Sequence, residues 1–200
     1  NPRGTLRVDM PAGIGRLLVI PALPAFSARY PLIELEIGLN DRPVELIREG
    51  VDCVLRAGPP LDDSLVARPL ALMQQVTCAS PAYLARHGTP QHLDELAGHQ
   101  IVEFFSSVTG KRYGLEFMVD GEVREMPLPK GLAVNSADAY LAASEAGYGL
   151  VQAPYYHVAR ALRDGLLCEV LERVEAPPLA LSALYPPHRH LSTRVRVFID

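Results

Sequence analysis

TLRVDMPAG, residues 5–13, decides the fold. Its first six residues alternate apolar and polar side chains, which is the pattern of a β-strand, and Pro11-Ala12-Gly13 then opens a short helix. A second helix begins at Pro21, since proline is tolerated in the first turn. Strands follow at residues 32–37 and 51–55. Strands alternating with helices through short parallel crossovers predict a doubly wound α/β sheet.

The pattern changes near residue 74. Strand-like pieces at residues 65–72 and 75–79 run almost continuously, and Asp120-Gly121 between alternating arms favours a type I′ hairpin. After the break at Pro177-Pro178, residues 179–185 form another strand. We therefore expect two Rossmann-like lobes, residues 1–74 with 180–200, and residues 75–179. Ligands of open α/β sheets bind at the carboxyl ends of the strands.

Composition narrows the class of protein. The 200 residues are 48% hydrophobic and 21% charged, values typical of a folded globular chain. The net charge is −4 and no basic run occurs, so direct contact with duplex DNA is not predicted. There is neither an apolar run of membrane-spanning length nor a secretory signal. The sequence opens at Asn1 without a methionine and stops inside an amphipathic pattern, so we interpret it as a fragment.

The cysteines and histidines do not indicate a metal or a cofactor. Cys53, Cys78 and Cys168 are too widely spaced for a zinc site, and an odd number argues against a disulfide framework. We interpret them as small buried side chains in a protein of the reducing cytoplasm. His188 and His190 flank Arg189 in a loop that offers no further metal ligands. No cofactor is predicted.

Catalytic groups are not assembled in any recognisable motif. Ser80 and Ser192 have the positions of helix caps, and Glu34 and Glu36 lie on the polar face of a strand. The sequence shows no nucleophile, general base and oxyanion site in combination. A binding protein is therefore favoured over a small α/β enzyme. The enzyme is the alternative, and turnover of a candidate ligand by the purified chain would support it.

Three places carry candidate binding groups. Gly13-Ile14-Gly15 lacks the third glycine of a dinucleotide fingerprint. It indicates a tight strand-to-helix turn, a helix N-terminus facing an anion, or both, since the two are compatible. Arg56 ends a strand, where its guanidinium could grip a carboxylate or pair with an acid such as Asp52. Ser136 begins a helix that stops at Gly147, and it could both cap the helix and contact a ligand.

Blocks of sequence in order along the chain resemble the effector domain of LysR-type transcriptional regulators. They are Gly4-Thr5-Leu6-Arg7-Val8-Asp9, Pro21-Ala22-Leu23-Pro24-Ala25-Phe26, Arg29-Tyr30-Pro31, residues 49–58, residues 63–68, residues 78–84, residues 146–150 and residues 185–191. That family has the type 2 periplasmic-binding-protein fold, in which two crossover strands join the lobes. The resemblance implies a winged helix-turn-helix domain that binds DNA and is absent from this fragment. It also implies homodimers or homotetramers.

By position, the resemblance implies a small-molecule effector held between the lobes, possible contacts being Ala12, Gly13, Asn40, Arg56, Ser106, Ser107 and Ser136. Members of the family often have a hydroxyl residue where this chain has Ala12-Gly13, so backbone N–H groups would have to serve there. An organic anion fits Arg56 and these N–H groups. The alternative is a periplasmic solute-binding protein of the same fold.

Overall fold

The computed structural model describes residues 2–42, 50–59, 63–187 and 192–200, and of Lys130 the backbone alone. The chain forms two compact units. Unit 1 comprises Asn1–Leu72 and Ala180–Asp200, and unit 2 comprises Met73–Leu179. From the sequence, Asp41 can cap a further helix that Gly50 ends, but residues 43–49 lie outside the described part of the chain, as does the loop of His188 and His190.

Unit 1 is a five-stranded sheet with helices. Its strands are β1 (Gly4–Met10), β2 (Ile33–Leu39), β3 (Cys53–Ala57), β4 (Val66–Met73) and β13 (Leu179–Tyr185), and its helices are α1 (Ala12–Ile14), α2 (Ile20–Arg29) and α6 (Thr193–Ile199). The strand order is β2-β1-β3-β13-β4. β1 runs parallel to both β2 and β3, but β13 is antiparallel to β3. The α/β class is confirmed. The first three strands are parallel, as their short crossovers predict, and β13, which returns from the far end of the chain, joins the sheet antiparallel to β3.

One helical segment follows β1 directly. A π-helical turn at Gly15–Val19 joins α1 to α2, so the two predicted helices are continuous. A Cβ atom on Gly15 would collide with the Leu39 side chain and lie 3.3 Å from Met10. Glycine therefore lets the segment pass close over the ends of β1 and β2.

Unit 2 contains two three-stranded sheets and a hairpin. Its strands are β5 (Gln75–Ala79), β6 (Ile101–Phe105), β7 (Arg112–Tyr113), β8 (Glu116–Val119), β9 (Glu122–Glu125), β10 (Lys130–Val134), β11 (Val151–Pro154) and β12 (Cys168–Val170), and its helices are α3 (Pro81–His87), a 3₁₀ segment (Leu93–Gly98), α4 (Ala137–Glu145) and α5 (Tyr155–Arg163). The strand orders are β10-β6-β7 and β11-β5-β12. A parallel bridge between Ile101 and Leu150 brings β6 beside the start of β11.

The hairpin of β8 and β9 confirms the turn predicted from Asp120-Gly121. Both turn residues have positive φ, 54° and 82°, as a type I′ turn requires. Gln152 anchors the hairpin from β11, since its side chain accepts from the backbone N–H of Glu116 at 3.0 Å and donates to the Glu116 carbonyl at 2.9 Å. Its amide also donates to the Thr77 hydroxyl at 3.2 Å. The Gln152 side chain thus links the hairpin to the sheet of β11, β5 and β12.

Several local predictions are confirmed. The Ser80, Ser136 and Ser192 hydroxyls each accept a backbone N–H of the helix that follows. The cysteine prediction is partly wrong, because Cys53 and Cys78 are buried thiols whereas Cys168 is an exposed thiol on β12. None of the described helices has the length and apolar character needed to cross a bilayer.

Candidate functional site

In unit 1 the predicted binding residues follow three parallel strands that end at the same edge. Met10 pairs with Leu39 in register, and Asp9 pairs with Val54. Ala12 and Gly13 therefore come just after β1, Asn40 just after β2, and Arg56 near the end of β3. The structure thus brings these four residues to one edge of the sheet, where open α/β sheets bind their ligands.

Carboxylates already engage two of the predicted donors at this edge. The backbone N–H of Ala12 donates to Oδ1 of Asp41 at 3.1 Å. The side-chain amide of Asn40 donates to Oδ2 of Asp9 at 2.8 Å. An anionic ligand that used either donor would have to displace a carboxylate, so this part of the edge is less prepared for an anion than the sequence suggested.

Asp9 is a component of the edge that sequence reasoning missed. It is 6% exposed, although the strand pattern assigned it to the polar face. A Cβ atom on Gly38 of β2 would collide with the Asp9 carboxylate, so glycine at that position makes room for it. An acid at a strand end opposite a glycine of the next strand indicates a buried carboxylate. This pattern can be recognised only when the pairing of the two strands is known.

Arg56 lies on β3 opposite Ser182 of β13 and is partly exposed. Ser182 is 8% exposed, so the strand around Arg56 is well covered. A guanidinium at a strand end with a solvent-accessible portion can form a bidentate pair with a carboxylate or phosphate. Its position fits the predicted contact, and whether it binds a ligand stays a prediction.

In unit 2 the predicted serines also follow parallel strands. β6 and β10 run parallel with Phe104 opposite Val134, so Ser106 and Ser136 succeed these strands at one edge. The Ser106 hydroxyl accepts from the backbone N–H groups of Val108 and Thr109, both at 3.3 Å, and closes a turn. The structure therefore gives Ser106 a local role that the sequence did not predict.

The other two serines differ in exposure. Ser107 is exposed in the turn after β6. Ser136 is partly buried and caps α4, accepting from the backbone N–H of Ala139 at 3.5 Å. The capping bond is long, so the hydroxyl keeps capacity for another partner, as the dual role predicted for it requires.

His157 is a further residue that the sequence did not single out. It is 6% exposed in the first turn of α5, and its Nε2 lies 3.1 Å from the carbonyl of Ala137 at the start of α4. Asp138 lies 3.9 Å from the same nitrogen. Among the described residues no partner meets its Nδ1. The ring joins the N-terminal turns of two helices and so fixes the backbone beside Ser136.

A groove of about 660 Å³ within unit 2 includes none of the predicted contacts. Its lining is Ala97, Ile101, Glu103, Gly114, Glu125, Met126, Pro127, Leu128 and Pro129. Glu103 is 1% exposed and accepts from Arg112 at 3.1 Å. This ion pair explains how a carboxylate is tolerated inside β6.

Burial suppresses the reactivity of two cysteine thiols. Burial, reinforced by the carboxylate of Asp52, raises the pKa of the Cys53 thiol to about 12. Burial also raises the pKa of Cys78 to about 12, with Glu169 the next cause. Both thiols are protonated at neutral pH and are poor nucleophiles. Within the described ranges no three metal-ligating side chains gather at one point.

Comparison with known proteins gives consistent results. The family model for the LysR substrate binding domain matches residues 1–200. An uncharacterized HTH-type transcriptional regulator of Escherichia coli, YhjC, is 43% identical over 197 residues, covering 98% of this chain and 66% of the relative. An HTH-type transcriptional repressor of Pseudomonas aeruginosa is 33% identical over 200 residues, covering 100% of this chain and 63% of the relative. The chain thus spans a little under two thirds of the length of these relatives.

A solved structure shows the same fold. The regulatory domain of CrgA, a LysR-type transcriptional regulator from Neisseria meningitidis, superposes with a TM-score of 0.81 at 30% sequence identity. The match covers 100% of this chain and 97% of that domain.

Proposed function

This chain belongs to the LysR substrate-binding domain family, and on that premise we propose that it senses a small-molecule effector for a transcriptional regulator. The observation that supports this proposal is that, in each unit, candidate polar groups lie at the carboxyl ends of parallel strands. In unit 1 these are Ala12, Gly13, Asn40 and Arg56, and in unit 2 they are Ser106, Ser107 and Ser136. The effector contacts these groups and is released unchanged.

The rest of the regulator supplies DNA binding. The two relatives carry the helix-turn-helix designation in their names and are longer than this chain. We propose that the protein to which this chain belongs has such a domain, acts in the cytoplasm, and is neither an enzyme nor a membrane protein. The names of the relatives favour this function over a periplasmic solute-binding protein.

A ligand screen tests the sensing role directly. We expect at least one compound among small organic acids and aromatics to raise the melting temperature of the chain. At 100 times its dissociation constant, a ligand stabilises the folded state by about 2.7 kcal/mol. The product is analysed after incubation, and chemical conversion of the ligand would contradict a purely sensing role.

Arg56→Ala should weaken binding of an anionic effector by about 1.5–3 kcal/mol, the usual contribution of a hydrogen bond to a charged group. Calorimetric titration measures the affinity, and the melting temperature of the same sample reports on folding. Arg68→Ala is the matched control, because Arg68 lies on β4 of the same sheet and pairs with Asp200 at 2.7 Å. Unchanged affinity together with a large loss of stability in Arg56→Ala would assign Arg56 a structural role instead.

Self-association through unit 1 is also part of the proposal. All ten residues of α2 lie in the described part of the chain, and none of them is buried. Ile20 is 44% exposed, and Leu32 at the entry to β2 is 55% exposed. β2 is an edge strand of its sheet. An exposed helix with apolar residues and an edge strand that follows it in the chain offer surface that a second copy can cover.

A further inference from the structure

The groove of unit 2 has the dimensions of a ligand site. Its volume is about 660 Å³, within the range of small-molecule sites in proteins. It is lined by Ile101 and Glu103 of β6 and by the connection from β9 to β10, which includes Met126 and Leu128. All of these residues belong to unit 2, so the groove is formed within a single unit.

This groove is separate from the edge that carries the candidate effector groups. Ile101 is the first residue of β6, and it pairs with Lys130, the first residue of the parallel strand β10. Ser106 and Ser136 come after the other ends of the same two strands. A ligand in the groove and an effector beside the serines would therefore occupy opposite ends of β6 and β10.

The lining of the groove is largely apolar and partly rigid. Ile101 and Leu128 are buried members of one core cluster, and Met126 packs against that cluster. Pro127 and Pro129 fix their own backbone φ angles and have no N–H group to donate. The groove thus presents an ordered apolar surface that has no backbone donor at the two prolines.

The charged side chains that line the described groove are both carboxylates, Glu103 and Glu125. The other lining residues, which are Ala97, Ile101, Gly114 and residues 126–129, have no side-chain nitrogen or oxygen atom. Glu103 is 1% exposed and pairs with Arg112 at 3.1 Å, which balances its charge. Glu125 is exposed at the end of β9. Glu125 therefore supplies the negative charge that a ligand in the groove can contact.

Gly114 leaves space between the Glu125 carboxylate and the apolar lining. A Cβ atom at this position would lie 3.2 Å from Oε1 of Glu125 and 3.5 Å from Cδ1 of Ile101. The backbone of Gly114 is not in the left-handed region, so its conformation does not require glycine. The missing side chain instead leaves a gap where one ligand can contact a carboxylate and an apolar side chain together.

We propose that this groove is a second small-molecule site and that it binds an organic cation with an apolar body, such as an arylalkyl ammonium ion. The ammonium group donates to the Glu125 carboxylate, and the apolar body covers Ile101, Met126 and Leu128. An organic anion would instead meet the negative charge of Glu125. The proposal does not rest on the effector-sensing role, because the candidate effector groups lie at the other end of the strands.

Titration of the intact chain with 2-phenylethylamine, followed by backbone amide NMR signals, tests this site. The amine is protonated at pH 7, as a lysine side chain is. The signals of Gly114 and Leu128 should shift and saturate with one dissociation constant. 2-Phenylethanol has a similar shape without the charge and should bind about fivefold more weakly, the upper range for an ion pair that water reaches. 3-Phenylpropionate should cause no saturable shift.

Two variants separate the charge of the groove from its shape. Glu125→Gln keeps the shape and removes the charge, so it should weaken binding of the amine by about fivefold. Glu122→Gln is the matched control, because Glu122 is an exposed glutamate of the same strand that does not line the groove. Gly114→Ala should weaken binding of both the amine and the alcohol, because the added methyl group takes up space that either one needs.

Three results would overturn the site. Linear shifts spread over many carboxylates would indicate general attraction of the amine to a chain of net charge −4. Equal weakening in Glu125→Gln and Glu122→Gln would show that the groove does not contribute a specific contact. Shifts confined to Ser106 and Ser136, with none at Gly114 and Leu128, would place the amine at the effector edge instead.

Discussion

Gly149→Ala should destabilise the chain by about 3 kcal/mol, at the upper end of what inserted methyl groups usually cost in a packed interior. The new Cβ atom would lie 2.6 Å from the Gln100 carbonyl oxygen, 2.9 Å from its carbon and 3.2 Å from the Ile101 nitrogen. All three are backbone atoms where Gln100 and Ile101 pair with Leu150, and they cannot move aside as the end of a flexible side chain can. Relief requires the two sheets of unit 2 to separate.

Chemical denaturation followed by circular dichroism measures this loss. Gly98→Ala is the matched control, since nothing lies within 4 Å of the Cβ position at Gly98 and its backbone is not in the left-handed region. The control should change stability by less than about 0.5 kcal/mol, as is usual for substitutions away from packed sites. Equal stability of the two variants would show that the sheets can separate at that point without cost.

The features predicted well from sequence are those set by neighbouring residues. Asp120-Gly121 specified its turn because both positions need positive φ, and Ser80 specified a helix start because its hydroxyl reaches a backbone N–H three residues later. The strand predicted over residues 179–185 occupies Leu179–Tyr185. Such sequence patterns involve only a few neighbouring residues, so the structure they specify depends little on the rest of the fold.

Contacts between distant segments could not be predicted in the same way. β10 was missed because Lys130–Val134 becomes a strand by pairing with β6, about thirty positions earlier in the chain. The partners of Ala12 and Asn40 were missed for the same reason, since Asp41 and Asp9 reach them only through the strand register. The local sequence pattern located the strand ends at which a ligand site is expected. It did not show that the Ala12 N–H and the Asn40 amide already donate to carboxylates.

Ala25→Glu should weaken self-association by at least about 100-fold, if the exposed face of α2 is the interface proposed above. Ala25 is exposed in the middle of α2, between Ala22 and Ala28, which are also exposed. Glutamate is a good helix former, so the isolated chain should keep its stability. In a two-fold interface the carboxylate enters twice, and each unpaired buried charge costs several kcal/mol.

Sedimentation equilibrium over a range of micromolar concentrations measures the effect on the dimer. Leu166→Glu is the control, because Leu166 is 51% exposed, belongs to unit 2 and not to unit 1, and also exchanges an exposed apolar side chain for a carboxylate. The control should associate like the wild type while Ala25→Glu sediments as a monomer. A wild-type chain that stays monomeric over the whole micromolar range would contradict the interface. An Ala25→Glu variant that dimerises as strongly as the wild type would also contradict it, because two buried carboxylates should weaken the dimer.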